Sequence, residues 1–317
     1  MKNNTIVTVG DLNYFWGVFL LVASLRKNGM DEPVIVYGSG YGKREEKLLA
    51  QFGDVKTVSA GEPGRSLTCS KPEAMLLAET EFVTWVDSDG FFVGNCSKRL
   101  APESSEEIHI RMRSPAENVL VYQNKNFSGD GQTIPAEVLA AWQADVPNAG
   151  EARLTRCCSA CYMSLPRSHR DFLEAWRDQM AKVLPQGNVG VVDHRVKFYH
   201  QLDESVLNSL LCFLPNAPRV SAEYRLDKDP DELFIHFVCH PKPWVGWAPM
   251  SFRHFDRYID VVDYVVKSGM ELPGELLFSL RRKNRLMCRL LCEPMQLRHK
   301  LRRMWQKIKN RAFKGGR

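Results

Sequence analysis

The stretch that decides the fold is Phe82–Phe92, FVTWVDSDGFF. Its first half, Phe82–Val86, predicts a buried strand, and two aspartates, Asp87 and Asp89, follow that strand directly. Carboxylates seldom end a core strand without a partner. A strand period of two places both side chains on one side of the backbone, where they repel unless a cation or a proton separates them. The pattern therefore indicates either a Mg²⁺ or Mn²⁺ site or a turn in which the aspartates cap loop amides.

Around this stretch, the N-terminal half alternates strand and helix patterns. Further strands are expected at Thr5–Val9, Pro33–Tyr37 and Asp54–Val58, and helices at Tyr14–Arg26, Lys43–Phe52 and Lys71–Ala78. Strands of about five residues alternating with helices of roughly ten predict an α/β fold with a mostly parallel, Rossmann-like central sheet. Ligands of such sheets bind at the carboxyl ends of the strands, and the two aspartates follow one of those ends.

The C-terminal half is less regular. Strands are expected at Cys158–Leu165 and Leu233–Val238, helices at His169–Leu184 and Asp203–Phe213, and a mixed segment that covers the site at Ala101–Gly150. Neither an internal repeat nor a low-complexity linker interrupts the pattern. We therefore expect residues 1–280 to form a single domain.

The charge of the chain is distributed unevenly. The net charge is +6, yet Arg281–Arg317 holds 14 Lys and Arg against the single acid Glu293, which leaves −7 for the rest. Residues 281–317 are therefore expected to be a separate basic tail. The start of the chain, Met1–Gly10, lacks the pattern of a secretory signal, and the apolar run Tyr14–Ala23 is too short to span a bilayer. Nine scattered cysteines are expected to be mostly reduced thiols in a cytoplasmic protein.

The basic tail also carries a helical pattern. Apolar residues recur at Leu297, Leu301, Met304, Trp305, Ile308 and Ala312. Pro294 is expected to separate this helix from an earlier one. A basic helix with Trp and Leu on its apolar face predicts attachment to an anionic membrane surface. A helix packed on the body, or a disordered tail, is the alternative, and a nucleic-acid partner is not expected because the body lacks a base-reading motif.

A second site motif lies at His236–Trp244, HFVCHPKPW. His236 falls inside a strand pattern, where a hydrogen-bonded core histidine is the alternative interpretation. An imidazole beside carboxylates favours a Mn²⁺-type site. Lys242, held between two prolines, is suited to a phosphate next to such a metal. With Asp87 and Asp89, this segment predicts a clamp for a diphosphate.

These motifs together resemble the family 8 glycosyltransferases, retaining enzymes of the GT-A fold that include bacterial lipooligosaccharide galactosyltransferases. The resemblance lies in four segments that run in the family's order: Asp11-Leu12-Asn13-Tyr14, Asp87-Ser88-Asp89, Asp203-Glu204 followed by Leu207-Asn208, and His236 with Lys242-Pro243-Trp244. They are similar to the family's D-x-N-Y, its D-x-D, the segment beside the transferred sugar, and H-x5-K-P-W.

The resemblance implies a role for each of these residues. Asp11, Asn13 and Tyr14 would bind the uracil nucleoside; Asp87, Asp89 and His236 would ligate Mn²⁺ (or Mg²⁺); Lys242 would bind the β-phosphate; and Asp203 and Glu204 would lie at the transferred sugar. Lys71 lies near the basic residue that the family has ahead of its D-x-D, although a solvated helix start is equally compatible with its position. From the residues alone, Asp11 and Asn13 are also compatible with a turn, and Tyr14 with the core.

Some residues depart from the family pattern. Glu204 stands where the family commonly has Gln, so it is either a nucleophile or a residue that pairs with a basic residue or orients the sugar hydroxyls. Cys239 replaces a Gly, and Ser159-Ala160-Cys161 replaces N-A-G, which puts bulk near the diphosphate and the sugar.

The function implied is metal-dependent transfer of a sugar, with retention, from a UDP-sugar to a hydroxyl of a glycan or a lipid-linked glycan. The enzyme would act on the cytoplasmic face of a membrane. Two alternatives stay open: a nucleotidyltransferase that uses the same diphosphate clamp, and a catalytically inactive sugar-nucleotide-binding or scaffold protein.

Overall fold

The computed structural model describes residues 3–60, 67–123, 125–184, 196–221, 224–227 and 232–314, with side chains up to residue 305. The strands are β1 Asn4–Asp11, β2 Val34–Ser39, β3 Val55–Ser59, β4 Phe82–Val86, β5 Gly90–Phe92, β6 Glu107–Met112, β7 Cys158–Pro166, β8 Arg219–Val220 and β9 Phe234–His236. The helices are α1 Phe15–Lys27, α2 Lys43–Ala50, α3 Lys71–Met75, α4 Ser97–Leu100, α5 Pro115–Tyr122, α6 Ala136–Asp145, α7 Arg170–Val183, α8 Asp203–Phe213, α9 Pro249–Phe252, α10 Phe255–Lys267 and α11 Arg285–Lys314.

Seven strands form the central sheet, in the order β3-β2-β1-β4-β7-β6-β8. Strand β1 runs parallel to β2 and β4, and β2 runs parallel to β3, whereas β7 is antiparallel to both of its neighbours. All five residues of β4 are buried, because helices cover both faces of the sheet. The predicted α/β fold with a mostly parallel central sheet is confirmed.

Helix α3 and strand β9 are each three residues shorter than expected, for a local reason in each case. Helix α3 ends at Met75 because the amides of Leu77 and Ala78 turn back to carbonyls three residues earlier. Strand β9 covers only Phe234–His236 because its partner β5 offers three residues for pairing.

The prediction that Pro294 separates two helices is wrong. Helix α11 runs from Arg285 to Lys314 with Pro294 inside it. A proline inside a helix costs about 3 kcal/mol, because it removes one hydrogen bond and crowds the preceding turn. Here the proline and Leu290, the residue whose carbonyl loses its amide partner, both lie on the exposed side of the helix. The flanking leucine, methionine and glutamine residues have high helix propensity, and they carry the helix across the proline.

The first turns of α11 belong to the body of the protein. Cys288 and Cys292 are buried in the same hydrophobic core cluster as residues of α1 and α10. All nine cysteines lie within the described residues, and none of them forms a disulfide bond. Among the described residues, none of the helices has both the length and the apolar character needed to traverse a bilayer.

Candidate active site

Two strands outside the central sheet, β5 and β9, bring the residues of the site together. Strands β5 and β9 pair antiparallel beyond the end of β4, and Gly90 lies opposite His236. A Cβ atom at Gly90 would lie 2.2 Å from the Phe234 ring and 2.9 Å from the Ile235 carbonyl oxygen, so only glycine allows the two strands to meet. This pairing brings His236 to Asp89 across 147 residues of sequence.

Asp87, Asp89 and His236 form a cluster suited to a metal ion. Their ligand atoms all lie within 4.8 Å of one another. The Nε2 atom of His236 lies 2.9 Å from Asp89 Oδ1 and 3.7 Å from Asp87 Oδ2. Two carboxylates and an imidazole fit a divalent ion such as Mn²⁺. The structure therefore brings together the three residues that the sequence pattern had predicted as ligands.

Lys71 lies inside this site. Its Nζ atom is 3.0 Å from both Asp87 Oδ1 and Asp203 Oδ2, and it donates a hydrogen bond to the Ala160 carbonyl. The side chain is only 5% exposed. Burial opposes the charge of Lys71, but the two aspartates raise its pKa above the ordinary value. The alternative interpretation of Lys71 as a solvated helix start is therefore wrong.

Lys242 reaches the site from the loop after β9. Its Nζ atom lies 2.7 Å from Asp89 Oδ2, and it also donates to the Phe237 carbonyl. Burial would raise the pKa of Asp89, but His236 and Lys242 together hold it below its usual range. Burial would lower the pKa of His236, but the contact with Asp89 raises it above the ordinary value. The aspartate is thus a partly buried, ionised group held between two basic side chains.

The first two residues of α8 extend the site. Asp203 is 3% exposed, and burial raises its pKa to about 6 although Lys71 opposes the shift. Glu204 lies 2.6 Å from Arg113 Nη2 and accepts a hydrogen bond from the Ala160 amide. Of the roles considered for Glu204, the pairing with a basic residue is the one that the structure contains.

Asp11, Asn13 and Tyr14 lie at the carboxyl end of β1. The Oδ1 atom of Asp11 accepts hydrogen bonds from the amides of Asn13 and Tyr14, as in the turn interpretation. The Tyr14 ring packs edge-on against Trp244 at 5.5 Å, and the Trp244 indole donates to the Asn13 carbonyl. This contact joins the D-x-N-Y turn to the K-P-W segment, while the nucleoside-binding role of the three residues stays a prediction.

Two residues that shape the site were not predicted from the sequence. Gly17 lets α1 approach the D-x-D turn, since a Cβ there would lie 2.6 Å from the Ser88 carbonyl oxygen. A glycine inside a helix pattern costs about 1 kcal/mol relative to alanine and often marks a close contact. The close approach at Gly17 could therefore have been predicted from the sequence. Arg113, the partner of Glu204, gave no such signal because a basic residue after a strand is common.

The two cysteine departures differ in position. Cys161 is 3% exposed, and its carbonyl accepts a hydrogen bond from the Asp87 amide. Cys239 is only half-buried and lies against Met250 at the surface. Cys161 is therefore the departure that adds bulk next to the site.

Solved structures of glycosyltransferases share this architecture. The bifunctional glycosyltransferase WbbM aligns with a TM-score of 0.50 and 14% identity, covering 82% of this chain and 50% of its own. The galactosyltransferase LgtC, solved with donor and acceptor sugar analogues, aligns with a TM-score of 0.50 and 12% identity, covering 86% of this chain and 98% of its own. GlyE of Streptococcus pneumoniae TIGR4 aligns with a TM-score of 0.50 and 12% identity, covering 87% of this chain and 66% of its own.

The chain thus spans about half the length of WbbM and nearly all of LgtC. No protein-family model matches the chain, and no curated protein sequence matches it. At these identities the likeness concerns the fold, and that fold is the one predicted from the motifs. The chain has the GT-A fold of these glycosyltransferases.

Proposed function

We propose that the protein is a metal-dependent glycosyltransferase that moves a sugar, with retention, from a UDP-sugar to a hydroxyl of a glycan or lipid-linked glycan. The observation that carries the proposal is the cluster of Asp87, Asp89 and His236 with Lys242 beside it. This cluster lies past the end of β4, where α/β sheets bind their ligands. LgtC, which shares the fold, was solved with donor and acceptor sugar analogues, and this supports the same class of ligand here.

The chemistry follows from the charges around the diphosphate. Transfer breaks the bond between the anomeric carbon and UDP, so negative charge develops on the leaving diphosphate. Asp87, Asp89 and His236 would hold a divalent ion, which would supply Lewis-acid stabilisation of that charge. Lys242 adds a cation within reach of the same place. Lys71, fixed between Asp87 and Asp203, holds both carboxylates in position.

The nucleoside and the sugar have separate binding regions in this proposal. Asp11, Asn13 and Tyr14 bind the uracil nucleoside at the end of β1, next to Trp244. Asp203 and Glu204 face the transferred sugar from the start of α8. The acceptor hydroxyl attacks the anomeric carbon as the bond to UDP breaks.

Release of free UDP tests this function against its alternatives. The protein is incubated with a panel of UDP-sugars and Mn²⁺, with and without glycan acceptors, and Asp89→Asn is the inactive control. A transferase releases UDP in a sugar-dependent way. A scaffold protein binds UDP-sugars without releasing UDP, and a nucleotidyltransferase releases other products; either result would refute the proposal.

The C-terminal helix supports a membrane-bound location for the enzyme. On one side, Cys288 and Cys292 are buried, Met295 faces Gly246, and His299 stacks on His240 at 4.7 Å. Four apolar residues, Leu290, Leu297, Leu301 and Met304, are at least half exposed. At 100° per residue, the two sets point about 180° apart on the helix. The helix thus has a second apolar stripe that faces away from the body.

Basic residues flank this outer stripe on both sides. Arg298 and Arg302 lie on one flank, and Arg289 and Lys300 lie on the other. A second copy of the chain would bring like charges together, whereas an anionic lipid surface complements them. We therefore propose that residues 281–317 are a membrane-association segment, and that the enzyme is peripheral on the cytoplasmic face of a membrane. Ile308 and Ala312, also predicted for the stripe, lie outside the described side chains.

A further inference from the structure

Glu204 is held at both of its carboxylate oxygens. Oε1 lies 2.6 Å from Nη2 of Arg113, and Oε2 accepts a hydrogen bond of 3.0 Å from the Ala160 amide in β7. The side chains of Glu204 and Arg113 are 15% and 18% exposed. The carboxylate therefore has a fixed direction, and turning it would break an ion pair in a largely buried place.

Arg113 is itself held by its backbone. It follows β6 directly, its amide donates to the Cys157 carbonyl, and its own carbonyl accepts from Arg156. Its Nε atom is buried without a hydrogen-bond partner among the described residues. The contact with Glu204 therefore orients the guanidinium, so each partner of the pair depends on the other.

The pair also controls charge next to the sugar region. Burial would raise the pKa of Glu204, but Arg113 and the Ala160 amide lower it below the ordinary value. The groups that face the pair are Arg111 from β6, Lys71 from α3, Tyr122 from α5, Cys157 just before β7, Cys158 and Cys161 from β7, and Asp203 from α8. Lys71 is already shared between Asp87 and Asp203. Among the ion pairs of the described residues, the one that Arg113 forms is with Glu204 alone.

We propose that Arg113 is a positioning residue that fixes the direction and the charge of the Glu204 carboxylate, and that it affects sugar transfer only through Glu204. The part of this proposal that concerns transfer rests on the proposed function. With both oxygens engaged, Glu204 acts as a fixed hydrogen-bond acceptor for sugar hydroxyls and does not attack the anomeric carbon. The bond that forms then joins the acceptor oxygen to the anomeric carbon, the bond to UDP breaks, and the hydroxyl proton leaves with the diphosphate.

A double-mutant cycle tests the dependence on Glu204. We expect Arg113→Met to lower kcat for transfer roughly 10- to 100-fold and to leave UDP affinity within about twofold. In a Glu204→Gln background, the same change should alter kcat by less than about threefold, because its target is already altered. Arg225→Met is the matched control. Glu117 and Asp227, the partners of Arg225, each keep a second ion pair with Arg111. The kcat of this variant should therefore stay as in the wild type. Equal losses in both backgrounds would overturn the proposal.

A spectroscopic measurement tests the pair independently of transfer. The side-chain carboxyl signal of Glu204, identified by ¹³C NMR from its loss in Glu204→Gln, should titrate at higher pH in Arg113→Met than in the wild type. Arg113→Lys keeps the charge, so it should return the titration towards the wild-type pH while kcat recovers only in part. An unchanged titration in Arg113→Met would overturn the proposal. If the wild type releases no UDP from any UDP-sugar, the proposed function fails. The NMR titration still decides whether Arg113 lowers the pKa of the Glu204 carboxyl group.

Discussion

Gly17 in α1 and Trp244 in the K-P-W segment touch at a point where only a hydrogen atom fits. A Cβ atom at Gly17 would lie 2.5 Å from the indole ring of Trp244, and the Ser88 carbonyl of the D-x-D turn is equally close, at 2.6 Å. Trp244 also packs on Tyr14. One glycine therefore sets the distance between the helix that follows the proposed nucleoside turn and the loop that carries Lys242.

We expect Gly17→Ala to destabilise the protein, although alanine is the better helix former. Alanine favours a helix interior by about 1 kcal/mol, but overpacking against Trp244 and Ser88 costs typically 1–3 kcal/mol. Denaturant unfolding should show a net loss of stability, and UDP affinity should fall because the loop is displaced. Gly274→Ala is the control, since a Cβ there meets no atom within 4 Å. Equal stability in the two variants would contradict the packing argument.

The second prediction concerns the metal. Because Asp87, Asp89 and His236 form one cluster, UDP binding should require Mn²⁺ or a similar ion. A ligand that binds only the folded state at a hundredfold excess over its Kd stabilises it by about 2.7 kcal/mol. Thermal unfolding should therefore shift upwards with UDP and Mn²⁺ together, and not with UDP in EDTA. Asp89→Asn should lose the shift, while the same shift in EDTA would show that the cluster is not the metal site.

The third prediction concerns pH and Asp203. Burial raises its pKa to about 6, above the ordinary value of about 3.9 for an unfolded aspartate. Because the folded pKa is the higher one, folding favours the protonated form, and this contribution to stability is present below about pH 4 and lost as the pH rises to about 6. In Asp203→Asn the contribution is absent. The unfolding free energy of the wild type should therefore fall relative to that of the variant, by an amount on the order of 3 kcal/mol, between these pH values. Parallel stability curves would contradict the assignment.

The alternation of strands and helices and the two ligand aspartates were predictable because both follow from local patterns. Phe82–Val86 is apolar throughout, so its burial and the place of Asp87 after it could be inferred from the sequence alone. The contact of His236 with Asp89 does not follow from a local pattern, because the pairing of His236 with Gly90 is a strand contact distant in sequence; the second motif and the family resemblance together indicated it.

Other features could not be predicted in this way. The ion pair of Arg113 with Glu204 joins residues from two elements that have no shared motif. The prediction at Pro294 failed although a proline usually ends a helix. The carbonyl of Leu290, which loses its amide partner, lies on the exposed side of α11, where water can bond to it. Sequence patterns report periodicity well, but they do not report which polar side chains meet.

The last prediction concerns the outer stripe of α11. Deleting residues 281–317 would remove Cys288 and Cys292 from the core, so loss of function in that variant would not separate anchoring from folding. Substituting Leu297, Leu301 and Met304 by serine changes only exposed side chains. Since these residues leave water only when the helix binds a surface, the triple variant should keep the wild-type unfolding free energy and UDP affinity.

Vesicle sedimentation then measures membrane binding separately from folding. With vesicles containing phosphatidylglycerol, the wild type should sediment and the triple variant should stay in the supernatant, because each buried apolar side chain contributes roughly 1.5–3 kcal/mol to binding. Binding should also weaken as salt rises, since each basic residue near an anionic surface contributes about 1 kcal/mol that salt screens. A matched variant, Lys267→Ser on α10, removes an exposed basic residue elsewhere and should sediment like the wild type. Sedimentation of the triple variant, or equal binding to neutral vesicles, would show that the outer stripe of α11 is not the anchor.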